Sequence, residues 1–318
     1  MATGSIEISV KGRAVQVPYL QMGARTLIVS GRWPRLVRIR DEDWLPGHTV
    51  EDPEACLEKI RQERLKADIF TFAQKLPDTT RRYPYPVEWD NVAALPTTDF
   101  SHWWEKRLPQ VTRKNVRRAA RRGLVIRELP FSDSLVQAIL VINNETPIRQ
   151  GRPFWHYGKN FETVKRDYAT FLDRSEFICA CQDDRLVGFL KLVYMGDIAG
   201  ILQILCMNQH SDKRPANALI ARAVEMCSAR GIKYLTYGKY VYGGNTDSPL
   251  TEFKRRNGFE PILLPRYYIP LSSRGRILFR LGFHHGLKGF LPEDLVRYAA
   301  RMRLKWYRRS ACRELQES

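Results

Sequence analysis

Four residues with proton-transfer or anion-binding chemistry share one short stretch. Arg149, Arg152, Trp155 and His156 lie close together, the last three within Arg152-Pro153-Phe154-Trp155-His156-Tyr157-Gly158-Lys159. An imidazole titrates near neutrality, so His156 suits a general base, although a histidine among aromatic neighbours also reads as structural. Arg149 and Arg152 suit a clamp for an anionic acceptor, and Trp155 a stacking wall for a sugar or base. A second stretch, 237–245, carries Tyr237, Tyr240 and Tyr242. A tyrosine there can protonate a leaving group, but alternate tyrosines also simply pack on a pleated sheet. Gly243-Gly244 permits positive φ and close backbone approach, which suits a ligand or a tight turn. The 6 cysteines show no CxxC pairing, and Cys179 and Cys181 share one strand face as core residues. His284-His285 has no ligand partners at metal spacing, so no metal site is expected.

The elements that must hold these groups are legible from apolar patterning. Strands are predicted at 177–182, 185–194 and 198–207, a helix at 211–230 and a strand at 232–238. A short helix ends at Gly258, and a last strand spans 260–270. Upstream, 124–128 reads as a strand, and 132–144 and 161–172 as helices. The first 120 residues read as a separate half, with a strand pair at 25–30 and 35–40 and a helix from Pro53, capped by Asp52, to about 66. A buried strand is expected at 68–73, then a proline-rich ordered loop or polyproline segment over 77–96 and a helix at 100–106.

Composition bounds the partners. The chain has 318 residues, 44% hydrophobic and 27% charged, and a formal charge of +18. It is an ordinary globular composition with an anionic partner implied: nucleic acid, a phosphorylated cofactor or an acidic membrane surface. No apolar run reaches transmembrane length, and no secretory signal precedes the fold, so a reducing cytoplasm is expected. The cations concentrate in a helix at 113–122, where Arg113, Arg117 and Arg121 recur four apart beside Lys114, Arg118 and Arg122. It reads either as a solvated face or as a phosphate-binding ridge, and the absence of acids within it, where a solvated face mixes signs, puts the ridge level with the solvated face.

From 124 onward the order β–α–α–β–β–β–α–β–α–β resembles the GNAT acyltransferase fold. Asn245, then a helix ending Phe253-Lys254-Arg255-Arg256-Asn257-Gly258-Phe259, is similar to FemAB-like and BioF2-like members, whose matching helix carries Phe-Lys before its terminal Gly. Their catalytic half also follows a basic segment like 113–125. The resemblance covers about 103–271 and implies an α/β mixed sheet with two GNAT-like halves in tandem: 1–122 degenerate, 123–271 catalytic, and 272–318 a basic helical tail. It implies N-acyl transfer from an acyl donor to a small amine acceptor, with Lys254 among the substrate-binding residues and Asn245 beside the cofactor.

In that fold acetyl-CoA or another acyl-CoA lies after the fourth strand, with an oxyanion donor on the backbone around Leu205–Met207. The CoA pyrophosphate then rests on a glycine-rich loop at a helix start. Here that loop reads His210-Ser211-Asp212-Lys213-Arg214-Pro215-Ala216-Asn217-Ala218, without glycine. Ser211 or Asp212 is the expected cap, and Lys213, Arg214, Ala216 and Asn217 are the expected cofactor contacts. The departure leaves open the other FemAB-like donor, an aminoacyl-tRNA held by Arg113, Arg117 and Arg121, or an inactive fold that binds nucleic acid or membrane. A helix from 291 carries Leu295, Tyr298, Met302 and Trp306 amid arginines, which suits docking on the domain or peripheral contact with anionic lipid at the inner membrane face.

Overall fold

The structure, a computed structural model, describes residues 3–10, 13–31, 33–42, 50–149 and 151–286. The expected helix from 291 lies outside the described residues. The chain opens with an antiparallel hairpin, β1 (Thr3–Val10) and β2 (Arg13–Met22), additional to the expected elements. β3 (Arg25–Ser30) and β4 (Leu36–Ile39) form the anticipated pair. α1 (Pro53–Gln62) starts as its sequence dictates, with the Asp52 carboxylate accepting from the Ala55 amide and Pro53 in the first turn. β5 (Ile69–Ala73) is buried along its whole length.

The proline-rich stretch differs from expectation. Residues 87–96 form β6 (Val87–Pro96), a central strand of the sheet. Its flanking prolines mask the apolar Val92-Ala93-Ala94-Leu95 run, of which Ala93, Ala94 and Leu95 are fully buried. A short helical turn α2 (Phe100–His102) continues as a π turn, Trp103–Arg107, into α3 (Gln110–Arg121). Gly123 ends α3 with φ +79, the left-handed stop that glycine supplies.

Next come β7 (Val125–Leu129), α4 (Asp133–Asn143) capped by Ser132, and a two-residue ribbon of β8 (Ile148–Arg149) and β9 (Arg152–Pro153). α5 (Phe161–Tyr168) follows, then β10 (Ser175–Gln182), β11 (Arg185–Met195) and β12 (Ile198–Cys206). α6 (Pro215–Ala229), β13 (Tyr234–Lys239), α7 (Pro249–Arg256), β14 (Glu260–Pro270) and α8 (Ser273–Arg280) complete the described order. In α6, Leu219, Ile220, Ala223, Val224 and Cys227 are fully buried. The buried Leu219, Ile220 and Val224 side chains contribute about 1.5–3 kcal/mol each, so this face, more than helix propensity, holds α6 on the sheet.

All strands but the β8/β9 ribbon join one 12-stranded sheet, ordered β1-β2-β3-β4-β5-β14-β6-β13-β12-β11-β10-β7. Its two wings repeat one connectivity. β2, β3 and β4 make a meander, α1 crosses, and β5 returns parallel to β4. Likewise β10, β11 and β12 make a meander, α6 crosses, and β13 returns parallel to β12. The wings exchange their last strands, because β6 pairs with β13 while β14 pairs with β5, and β6 and β14 pair with each other. A cut at 122/123 therefore divides the chain but not the sheet. Helices α3 and α6 cover one face of the second wing, and α4 and α5 the other.

Candidate functional site

β12 and β13 hydrogen-bond only over Ile198–Gly200 and Tyr234–Thr236, then diverge. On β12 the pairing with β11 skips Leu202, the bulge that bends the strand away. On β13 Gly238 takes φ +56, and a Cβ there would meet the Tyr242 hydroxyl at 2.5 Å. Asn91 of β6 holds the chain beyond the splay, since its carbonyl accepts from the Tyr240 amide at 3.2 Å and its Oδ1 from the Val241 amide at 2.6 Å.

Lys254 of α7 points into this region. It is 0% exposed, and its Nζ donates to the Lys239 carbonyl at 2.5 Å. The ammonium lies 4.6 Å from the Tyr237 ring and 4.9 Å from the Tyr242 ring. Burial lowers its pKa to about 8. The other buried lysine, Lys191, contrasts with it: its Nζ is saturated by the carbonyls of Tyr168 and Thr170 and the Thr170 hydroxyl. Saturation marks Lys191 as structural, whereas the rings leave Lys254 with donor capacity.

The frame around Lys254 is rigid. Ser248 caps α7 by accepting from the Thr251 amide, and at the other end Gly258 takes φ +82 against the Trp103 indole. Trp103 Nε1 donates to the Asn257 carbonyl at 3.3 Å, and Thr112 of α3 to the Arg256 carbonyl at 2.8 Å. Asn217 joins this frame, its amide donating to Asn257 Oδ1 at 3.0 Å, so a residue expected at the cofactor ties α6 to α7.

The loop that leads into α6 differs from expectation. A 3-10 turn, Asn208–Lys213, comes first, and α6 begins only at Pro215. Arg214, left-handed at φ 62, takes the cap position, so neither Ser211 nor Asp212 caps the helix. Asp212 instead pairs with Arg122 at the end of α3. Lys213 donates to Gln182 and lies 3.3 Å from His210 Nδ1, while Arg214 is exposed and Ala216 half-buried. The Glu145 carboxylate accepts from the amides of Asn208 at 2.8 Å and Gln209 at 3.1 Å. Sequence reasoning missed Glu145, because it lies in the loop between α4 and β8 and no local periodicity pairs it with Arg149.

Arg149 is occupied within the fold. Its guanidinium donates to the carbonyls of Cys206 at 2.8 Å and Ile142 at 3.0 Å and to Glu145 at 2.9 Å, fixing the end of β12. The backbone of Arg152 pairs with Arg149 in the ribbon, but its side chain lies outside the described residues. Trp155 is 53% exposed. His156 is half-buried with Nε2 3.4 Å from Gln203 on β12. Burial, reinforced by Lys159, lowers its pKa to about 4, so at neutral pH the imidazole is uncharged. His156 Nδ1 is buried without a protein partner, and nearby the buried Tyr168 hydroxyl faces Asn143 and Gln203. Leu205 packs toward α4 and α5, as does Met207, whose amide is spent on the Val187 carbonyl at 2.8 Å. Cys206 is no nucleophile, because burial raises its thiol to about 12.

Tyr240 is half-buried, Tyr242 is 51% exposed, and burial raises both phenols, so each is protonated at neutral pH. Asn245 is exposed, with its amide on the Tyr242 carbonyl. The site therefore gathers Lys254, Tyr237 and Tyr242 on one side of the splay, and His156 and Gln203 along β12 on the other. Behind β13, Gly238 and Lys239 also line a small cavity of about 70 Å³ between the wings. There Arg266 bridges Glu42 at 2.9 Å and Asp90 at 2.5 Å, and Lys239 reaches Asp90 at 2.9 Å. Burial pushes Asp90 up, but these two cations outweigh it and hold the carboxyl below its usual range.

The basic helix α3 separates by role. Arg113 donates to the carbonyls of Trp104 and Glu105, Arg117 stacks over the Trp104 ring at 5.7 Å, and Lys114, Arg118 and Arg121 are exposed. Near the start of β6 the fold brings Glu88 to His284 and His285, a partner that sequence spacing does not reveal. Among the described residues no helix is long and apolar enough to cross a membrane.

No protein-family model matches the sequence, and no curated protein matches it. Solved structures do match the fold. FemX aligns with a TM-score of 0.56 at 12% identity, covering 88% of this chain and 90% of FemX. L-PGS from Bacillus licheniformis aligns at 0.54 and 15%, covering 83% and 88%. A C-terminal domain assigned to a lysylphosphatidylglycerol synthetase of Agrobacterium fabrum aligns at 0.51 and 13%, covering 84% and 88%. The chain has the GNAT/FemAB-like fold.

Proposed function

We propose that this protein is an N-acyltransferase that moves an acyl group from an activated carrier to an amine of a sugar, lipid or peptide precursor. The observation that carries the reading is Lys254, a buried ammonium at the splay whose only described polar contact is the Lys239 carbonyl. As the amine nitrogen bonds to the acyl carbon, the carbonyl oxygen becomes an oxyanion, and a fixed cation in a dry site stabilises that charge. The carrier's sulfur or oxygen then departs with the bonding pair and takes a proton, for which the Tyr242 hydroxyl is the candidate donor. The amine's own proton passes to water as the amide forms, and the exposed Tyr242 phenolate recovers a proton from solvent. His156, neutral but weakly basic, suits hydrogen bonding to the acceptor better than full proton abstraction.

Acyl-CoA is the first donor to consider, with Lys213, Arg214 and the start of α6 toward its phosphates. One observation favours a second donor, aminoacyl-tRNA. The Glu145 carboxylate already accepts from the Asn208 and Gln209 amides, in the loop where GNAT enzymes cradle pyrophosphate. A ribose-linked ester needs no such cradle, and the exposed Lys114, Arg117, Arg118 and Arg121 suit a phosphate backbone.

Isothermal titration with acetyl-CoA and a longer acyl-CoA tests the donor. Micromolar binding, lost in Lys213→Glu/Arg214→Glu, supports the CoA enzyme. No heat with either, together with acyl transfer from aminoacyl-tRNA that weakens steeply with salt, supports the tRNA enzyme. Transfer from neither donor sinks the acyltransferase reading.

A further inference from the structure

We propose that Glu88, His284 and His285 form a binding site for one divalent transition-metal ion of the zinc class. Glu88 Oε1 lies 2.8 Å from His284 Nε2 and 3.0 Å from His285 Nε2, and the three ligand atoms all fall within 4.8 Å of one another. Among the described residues this is the one group of three or more such side chains so converged. Two histidines and one carboxylate, donors that suit zinc, hold it at about 2.0–2.2 Å, which sets ligand atoms roughly 3.3 Å apart in a tetrahedron. A shift of a few tenths of an ångström opens the two Glu88–histidine contacts to that size, and the two imidazole nitrogens already lie within 4.8 Å of each other.

The local backbone presents the pair. Gly282 and Gly286, both at φ +73, bracket the 3-10 turn Phe283–His285, and Phe283 anchors it against Trp33 with ring centroids 4.5 Å apart. His284 is clamped between Tyr268 and Phe279, each 4.7 Å away, and only 3% of its side chain is exposed. Its Nδ1 is buried without a polar partner. A lone pair on that nitrogen gains nothing from aromatic neighbours, whereas an N–H there is weakly accepted by ring faces. With its proton on Nε2 the imidazole donates to the Glu88 carboxylate at 2.8 Å; a metal cation bound between them would take the place of that proton, and Nδ1–H would then face the rings.

The three residues line an open cleft of about 410 Å³ that also borders Asp90, Lys239, Gly243 and Gly244. Three protein ligands and an open face leave a fourth position for water or an anionic group. The same bond joins β6 to the segment after α8.

The test uses the full-length, untagged protein, stripped with chelator and titrated with Zn²⁺, and with Co²⁺ followed by visible absorption. One equivalent is expected to bind at micromolar or tighter affinity, with the intense d–d band of a four-coordinate Co²⁺ site. Glu88→Gln keeps an oxygen acceptor for both imidazoles, so the metal-free melting temperature should hold while Zn²⁺ affinity falls at least about tenfold. His285→Gln, at a half-exposed position where folding is least at risk, should do the same. No stoichiometric binding by about 100 μM Zn²⁺, or binding unchanged in both variants, overturns the site and leaves a proton-linked Glu–His clamp.

Discussion

At the scale of single residues, Lys254 ties charge to pH. With its pKa near 8, the ammonium is present below that pH and lost above it. If it stabilises the oxyanion, kcat should fall through pH 8, and Lys254→Arg should move that limb upward because arginine stays charged. Lys254→Met should cost about 10²–10³ in kcat, the loss seen when a single oxyanion donor is removed. Stability should respond in the opposite sense. Between about pH 8 and 10.5 the unfolded lysine holds its proton while the folded one has released it, so wild-type stability rises with pH in that window. Lys254→Met should flatten that rise in urea denaturation curves.

His156 gives an acid-side counterpart. Its folded pKa of about 4 lies below the usual 6.5, so the unfolded state binds the extra proton first. Stability should therefore fall as pH drops from about 6.5 toward 4, and His156→Phe should blunt that loss. A pH profile identical to wild type would show that His156 is better solvated than its burial indicates.

At the scale of elements, the position of Lys254 depends on the two ends of α7. Gly258 stands at φ +82, and a Cβ would come within 2.8 Å of the Trp103 indole nitrogen. Gly258→Ala should destabilise by about 1–3 kcal/mol through strain and a displaced ring. It should also lower kcat although the residue lies beyond the reacting groups. Thermal melts and transfer rates on one preparation check both. The basic helix α3 supports the same frame through Thr112 while presenting its outer arginines. Arg117→Glu/Arg121→Glu should leave the melt near wild type; if tRNA is the donor, it should weaken tRNA binding and flatten its salt dependence.

At the scale of the whole molecule, the exchange of β6 and β14 couples the two wings. Neither wing can close its sheet without a strand from the other half of the chain. Denaturation should show one transition by fluorescence and circular dichroism alike. A fragment spanning 123–286 lacks β6, exposes the edges of β13 and β14, and should be insoluble or unfolded. A soluble fragment with native-like circular dichroism would show that the wings fold independently.

The sequence by itself determined the elements whose signals are local. The strands of 177–207 and 260–270, the Asp52 cap and the Gly258 stop follow from alternation, capping chemistry and left-handed backbone, all properties of a few adjacent residues. The short Phe-Lys spelling was enough to nominate Lys254. Only the tertiary structure decided the rest. Val87–Pro96 became a central strand because its partners, β13 and β14, lie far away in sequence, and local proline content says nothing of them. Arg149, read as a ligand clamp, is engaged by Glu145 and two carbonyls, since an arginine fills its donors from whatever acceptors the fold brings near. Asn217 turned from cofactor to helix brace for the same reason. Glu88 met its histidines across almost two hundred residues. Side-chain chemistry is written in the sequence, but the partner that completes it is chosen by packing.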